Sequence, residues 1–262
     1  MEQIARDLRK DSLFLSHICR DGNLQSVFSC MDIVWTLYDK VMNWTPETAQ
    51  HPDRDFFIIS KGQATLALYP VLIKKGFFSM EDMSEIGSFD SRFCIQADVT
   101  KFQGGVENSA GSLGHGFPFA AGIAMANKVK KSPSRVFALA GDGEFCEGSM
   151  WETCIFAAGK RLDNLCVIID DNDSVGAMID MGSLSGKLSS FGFDVFEANG
   201  HDLASLYTAF EKTNNPNGKP KALIAKTVRG YGSHTLMYNE VWFHKSPNSE
   251  ELEMLKKEVD EF

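Results

Sequence analysis

Apolar residues recur along the chain at two spacings, and the alternation between them predicts the architecture. Ile4, Leu8, Leu13, Leu15 and Ile18 form an imperfect helical stripe over residues 1 to 20, closed by Asp21-Gly22-Asn23. A second helical pattern runs from Ser29 to Val41 and stops at Asn43-Trp44-Thr45-Pro46. Short, continuous, strand-forming runs then appear at Phe56 to Ser60, Arg135 to Ala140, Leu165 to Ile169, Phe193 to Phe196 and Ala222 to Thr227. Helical stretches separate them at Ala64 to Lys75, Phe117 to Lys130, Glu147 to Ala158 and Leu203 to Lys212, and Ser249 to Phe262 reads as a charged helix. Between Ser79 and Gly116 the pattern is irregular, with Gly104-Gly105 and Gly111-Ser-Leu-Gly-His-Gly116 marking long loops. Loops of that length inside a compact domain are usually functional. Strands joined by helical crossovers pair in parallel. The expected fold is therefore α/β, an open, mostly parallel twisted sheet flanked by helices. With no repeat, low-complexity tract or linker in view, one domain over residues 1–262 is expected.

Composition narrows the function classes. At 262 residues, 44% hydrophobic and 23% charged, the chain can bury a substantial core without unusual staples. A formal net charge of -9, with no Lys/Arg-rich run, argues against nucleic acid as a partner. No apolar run reaches the length of a membrane span, and the start MEQIARDLRKD has no signal-peptide core, so a cytoplasmic protein without a membrane partner is expected. The six cysteines contain no Cys-x-x-Cys pair and read as reduced thiols. Cys146 lies beside a polar loop, but no base is identifiable near it and it reads as filler.

Two of the strand-forming runs end in polar segments of matching character. Arg135 to Ala140 runs into Gly141-Asp142-Gly143, and Leu165 to Ile169 runs into Asp170-Asp171-Asn172. The fold brings both to the carboxyl edge of a parallel sheet, where ligands usually bind. The glycines allow a sharp turn and close approach of backbone to ligand. Taken alone, Gly-Asp-Gly also fits a tight strand-to-helix turn with Asp142 as an N-cap. With Asn172 placed after the next strand, a carboxylate, an amide oxygen and a backbone carbonyl form a hard ligand set suited to Mg²⁺ or Ca²⁺, and Mg²⁺ keeps positions for phosphate oxygens. The pair reads as a metal-diphosphate clamp.

This spacing resembles the thiamine diphosphate signature, and the wider chain resembles the N-terminal half of transketolase. The similarity rests on five segments in the family's order: Ile59-Ser-Lys-Gly-Gln-Ala64, Gly111-Ser-Leu-Gly-His-Gly116, Gly141-Asp-Gly-Glu-Phe-Cys-Glu-Gly148, Asp170-Asp-Asn172 and Val241-Trp-Phe-His-Lys-Ser-Pro-Asn-Ser-Glu-Glu251. The resemblance implies a thiamine diphosphate-binding fold in which Asp142, Asn172 and the carbonyl of Ser174 bind the metal. Gly143, Gly111 and Leu113 would approach the cofactor. It implies that Glu147 and Glu152 join a proton relay at a subunit interface, although two acids early in a helix also suit its dipole. The family's catalytic glutamate lies on a pyrimidine-binding domain that this sequence does not show. The resemblance therefore implies a partner chain, similar to the C-terminal transketolase half, that supplies both, in an assembly with two copies of each chain.

The sequence also departs from the family around the substrate. Asn23 and Gln63 stand where transketolases carry histidines, and Asp98 aligns with a third across an irregular loop. His244 is retained and is expected to touch the diphosphate or the substrate, unless it is a surface histidine near a helix start. His115 replaces the family's usual glutamine, adding an imidazole near the cofactor or packing within the loop. Amides hydrogen-bond but do not exchange protons near neutral pH as imidazoles do. Three function classes follow: ketol transfer between a ketose and an aldose with non-standard substrates, decarboxylation of a 2-oxo acid with acyl transfer to a carbonyl, and a non-catalytic subunit that stabilises a partner.

Overall fold

The computed structural model describes residues 1–102, 104–176 and 179–262. Eight helices, α1 (Gln3–Cys19), α2 (Leu24–Thr36), α3 (Thr65–Lys74), α4 (Gly116–Lys130), α5 (Gly148–Gly159), α6 (Leu184–Ser190), α7 (Leu203–Thr213) and α8 (Ser249–Glu261), surround five strands among the described residues. The strands are β1 (Phe56–Ile59), β2 (Val136–Gly141), β3 (Leu165–Asp171), β4 (Asp194–Asn199) and β5 (Lys221–Lys226). They form one sheet in the order β1-β2-β3-β5-β4, and every pair is parallel. The α/β expectation therefore holds. Because all strands point the same way, their carboxyl ends share one edge.

The continuous apolar runs are explained by burial on both faces of the sheet. On one face Ile59, Phe137, Leu139, Ile168 and Leu223 pack beneath α1, α2, α3, α7 and α8. On the other, Ile58, Ala138, Ala140, Val167, Ile169 and Ile224 pack beneath α4, α5 and α6. The small residues Ala120, Ala121 and Ala124 let α4 lie close to the strands.

Helix boundaries follow local chemistry. The structure starts α2 at Leu24 rather than Ser29, because the Asn23 side chain accepts from Ser26 N–H at 3.0 Å and caps the helix. That helix continues as a π-helical turn, Leu37–Val41. Pro70 sits inside α3, where it cannot donate to the Leu66 carbonyl. The Ser12 hydroxyl takes that carbonyl instead, at 2.9 Å, so the helix continues unbroken. The sequence pattern missed α6, whose Leu-Ser-Gly-Lys-Leu-Ser-Ser has only two apolar positions; Ser183 caps it by accepting from Gly186 N–H.

Candidate cofactor site

Four loops leave the carboxyl edge of the sheet side by side. Ser60 to Gln63 follows β1, Asp142 to Glu144 follows β2, Asn172 to Ser174 follows β3, and Thr227 to Arg229 follows β5. Asp170, fully buried near the end of β3, ties three of these loops and α2 together. Its Oδ2 pairs with the buried Lys61 ammonium and accepts from the Ser29 hydroxyl (2.5 Å) and from Asn172 Nδ2 (3.2 Å). Its Oδ1 accepts from the Thr227 hydroxyl. Burial works against charge on Lys61, but Asp170 beside it holds its pKa above the ordinary lysine value.

A second buried acid, Glu144, joins the remaining loop. Its Oε1 accepts from the Ser60 hydroxyl and from Gly114 N–H at 2.8 Å, and its Oε2 lies 3.4 Å from Gly141 N–H. Burial lifts its carboxyl above the usual range, opposed by those donors. Gly114 has φ +78°, and a Cβ on Gly116 would lie 2.5 Å from the Ser60 Cα. Both glycines are therefore demanded by the way the 111–116 loop folds onto the end of β1.

Between these loops lies a cavity of about 240 Å³. Asp142 and Asn172 line it, each 3% exposed. Asp142 accepts from Ser174 at both oxygens, from the N–H at 2.8 Å and from the hydroxyl at 2.6 Å. Burial raises its carboxyl pKa, opposed by Ser174 and the Gly143 N–H. Asn172 donates through Nδ2 to Ser29 and Asp170, which leaves its buried Oδ1 with no hydrogen-bond partner. An unpaired buried acceptor costs about 1–3 kcal/mol. An amide oxygen from Asn172 and the Asp142 carboxylate, on one cavity wall, are donors of the kind a hard divalent cation takes. At Gly141 a Cβ would meet nothing within 4 Å, so open space adjoins the backbone there. The residues present thus fit a metal-bound diphosphate. A neighbouring cavity of about 390 Å³ shares Asp142 but is lined by Asp171, Asp173, Asp180 and Glu197 against the single cation Lys226, and that excess of negative charge disfavours an anion. The smaller cavity, with Lys61 and Arg229 in its wall, is the better anion site.

Residues 6–259 match the family model described as transketolase, thiamine diphosphate binding domain. The chain belongs to this transketolase family. It is 32% identical over 258 residues to one subunit of the apulose-4-phosphate transketolase of Phocaeicola vulgatus, covering 97% of this chain and 91% of that one. It is 31% identical over 217 residues to "6-deoxy-6-sulfo-D-fructose transketolase subunit SqwG" of a Clostridium species, covering 81% and 78%. A solved transketolase from Leishmania mexicana superposes with a TM-score of 0.88 at 24% identity; it covers 98% of this chain, which spans 41% of that transketolase.

Of the residues expected from the transketolase resemblance, the structure gathers Asn23, Gln63 and Leu113 with Asp142, Gly143, Asn172 and Ser174 around the one cavity. Gly111 lines an adjoining cavity of about 370 Å³ together with His115, whose Nδ1 lies 3.0 Å from the Leu113 carbonyl oxygen. Glu147 and Glu152 are exposed at the start of α5 and outside the lining. His244 is also exposed, stacked edge-on against Phe243, and it is Phe243 that enters the wall. Asp98 lies outside the cavity, half-buried, accepting from Thr100 and Ser109. Cys146 does reach the wall.

Sequence reasoning assigned no role to Lys61, Glu144, Asp170 or Arg229. The first three lie inside the family motifs, and a lysine and two acids at the ends of buried strands were the available signal. Arg229, in the loop after β5, had none. Its guanidinium donates to Gln25 Oε1 at 2.7 Å, lies 3.3 Å from Glu240 Oε1 and stacks over Phe243.

Proposed function

We propose that the chain is the diphosphate-holding subunit of a two-component, thiamine diphosphate-dependent transketolase that moves a two-carbon ketol unit from a ketose to an aldose. The observation that carries this reading is that Asp142 and Asn172, whose buried Oδ1 has no hydrogen-bond partner, line one cavity. Asp142, Asn172 and Ser174 would hold Mg²⁺ or Ca²⁺, with Gly143, Leu113 and Arg229 facing the diphosphate. When bound, the cofactor supplies the nucleophilic carbon and the electron sink for breaking a carbon–carbon bond. The chain's own residues anchor it, exclude water and orient the sugar. Asn23 commits its Oδ1 to capping α2, so its Nδ2 is left as a donor toward the substrate. Gln63 offers an amide on the same wall. Two amides in place of imidazoles, and relatives named for apulose 4-phosphate and a sulfonated fructose, support a ketose outside the common sugar phosphates.

A partner chain would carry the pyrimidine-binding domain and the catalytic glutamate. Two relatives of similar length are themselves named as single subunits of a transketolase, which supports this. So does an apolar surface on α4 and α5, where Phe119, Ile155 and Phe156 are 50%, 62% and 40% exposed beside Glu152. Glu147 and Glu152 would meet the partner there and share protons with it, in an assembly of two copies of each chain. The six free cysteines and the absence of a membrane-crossing helix among the described residues support a cytoplasmic site of action.

Calorimetry with Mg²⁺ and thiamine diphosphate tests the clamp. Asp142→Ala abolishes metal-dependent binding while far-UV circular dichroism stays native; unchanged affinity refutes the assignment.

A further inference from the structure

We infer that His201 is a positioning residue, outside the cavity, that locks the loop carrying Arg229 into the cavity wall. His201 follows β4, and its side chain is 6% exposed. Its Nε2 lies 2.9 Å from the backbone N–H of Val228, which donates to it. An acceptor nitrogen carries no proton, so the ring is neutral and its proton sits on Nδ1. That N–H donates to Asp32 Oδ2 at 3.0 Å. Asp32 is itself held by a two-pronged pair with the buried Arg9, at 3.0 and 2.6 Å. Arg9 also donates to the Tyr231 carbonyl at 2.9 Å, and the Tyr231 ring stacks on His201 with centroids 3.6 Å apart. The Arg9–Asp32 pair thus fixes the tautomer, and the tautomer fixes the Val228 amide.

Arg229 is the next residue, and it alone in this loop lines the cavity. Gly230 N–H bonds to the Gln25 carbonyl at 3.1 Å, and Gln25 Oε1 receives the Arg229 guanidinium. The loop is therefore pinned on both sides of Arg229, by His201 at Val228 and by Gln25 at Gly230. Loss of the His201 acceptor leaves a part-buried amide unpaired, a cost the loop relieves by swinging that amide toward water. Arg229 then leaves the wall.

This inference rests on the cavity being the diphosphate site, and the test separates the two readings. His201→Gln places an amide oxygen near the position of Nε2 and keeps the Val228 bond. His201→Asn keeps a donor near the position of Nδ1 for Asp32 and loses that bond. In the full chain without cofactor, hydrogen exchange at the Val228 amide accelerates at least about tenfold in His201→Asn and stays near wild type in His201→Gln. With Mg²⁺ and thiamine diphosphate, His201→Asn weakens binding by about tenfold, as does Arg229→Ala, and the double variant is no worse than either single variant. Equal exchange in the Gln and Asn variants, or additive losses in the double variant, overturns the positioning role. If the wild-type chain binds no thiamine diphosphate, the cofactor reading fails, while the exchange pattern still upholds or overturns the lock on the loop.

Discussion

Replacing Lys61 by methionine removes the cation from a pair whose two side chains are 1% and 0% exposed. Breaking such a pair from one side typically costs about 3–5 kcal/mol, because the remaining charge is left buried without a counter-ion. Here three neutral donors, Ser29, Asn172 and Thr227, stay on the Asp170 carboxylate. The loss should therefore fall near the lower bound, about 3 kcal/mol. For a domain of this size that lowers the melting temperature by roughly 6–12 °C. Asp170→Asn strands the Lys61 ammonium instead and should cost a similar amount. The double variant Lys61→Met/Asp170→Asn contains no orphaned charge, so it should be more stable than either single variant, with a coupling of at least about 2 kcal/mol. Urea unfolding of the cofactor-free chain at neutral pH, followed by circular dichroism, measures all three. The half-exposed pair Lys128–Asp163 is the control, and Lys128→Met should cost less than about 1 kcal/mol. A Lys61→Met loss below about 1 kcal/mol, or additivity in the double variant, would refute the view that Asp170 is the electrostatic hub of the site.

The same site supplies further expectations. Burial raises the Asp142 pKa, so Asp142→Asn should stabilise the metal-free chain near neutral pH in urea titrations while losing metal-dependent cofactor binding. For the wild type, cofactor affinity should fall as pH drops through that raised value, because the metal needs the carboxylate ionised. Asn23→Ala should cost about 1 kcal/mol through loss of the α2 cap, whereas Asn23→Ser keeps a capping oxygen and removes the Nδ2 donor without adding charge; comparing the two in steady-state kinetics with the partner present separates the cap from the substrate contact. On α5, Ile155→Asp with Phe156→Asp should leave melting of the isolated chain within about 0.5 kcal/mol but abolish co-elution with the partner in size-exclusion chromatography. Asp32 has its pKa lowered, because Arg9 and His201 outweigh a large burial cost. Its contribution to stability is complete above the unfolded-state value of about 4 and is lost as pH falls through the lower folded value. Asp32→Asn should remove that part of the acid transition.

What could be read from the chain alone depended on how local the cause was. The strands were legible because residues such as Ile168 and Ile169 are buried on opposite faces, so that even a short run is apolar throughout. Asp142 and Asn172 could be singled out as the proposed ligands because a hard divalent cation demands particular oxygen types, and both residues carry them whatever surrounds them. The start of α2 was misread because Asn23 looked like the end of one element, and only its bond to Ser26 N–H shows it to be the beginning of the next.

The buried residues beneath the proposed clamp were harder to see, and for a physical reason. Asp170 acts through Ser29, Lys61 and Thr227, three residues far from it in sequence that meet only after the sheet has formed. Nothing in Asp170-Asp171-Asn172 distinguishes the acid that faces inward from Asp171, which pairs with the exposed Lys226. Strand alternation could have told them apart, since Asp170 and Asn172 are two residues apart and fall on one face. That same alternation explains why Asn172 Nδ2 reaches Asp170. The geometry of the proposed clamp therefore depends on the pleat of β3 as well as on the identities of Asp142 and Asn172. A substitution shifting β3 by one residue against β2 would expose Asp171 to the site and remove Asn172 from it, with neither Asp142 nor Asn172 altered.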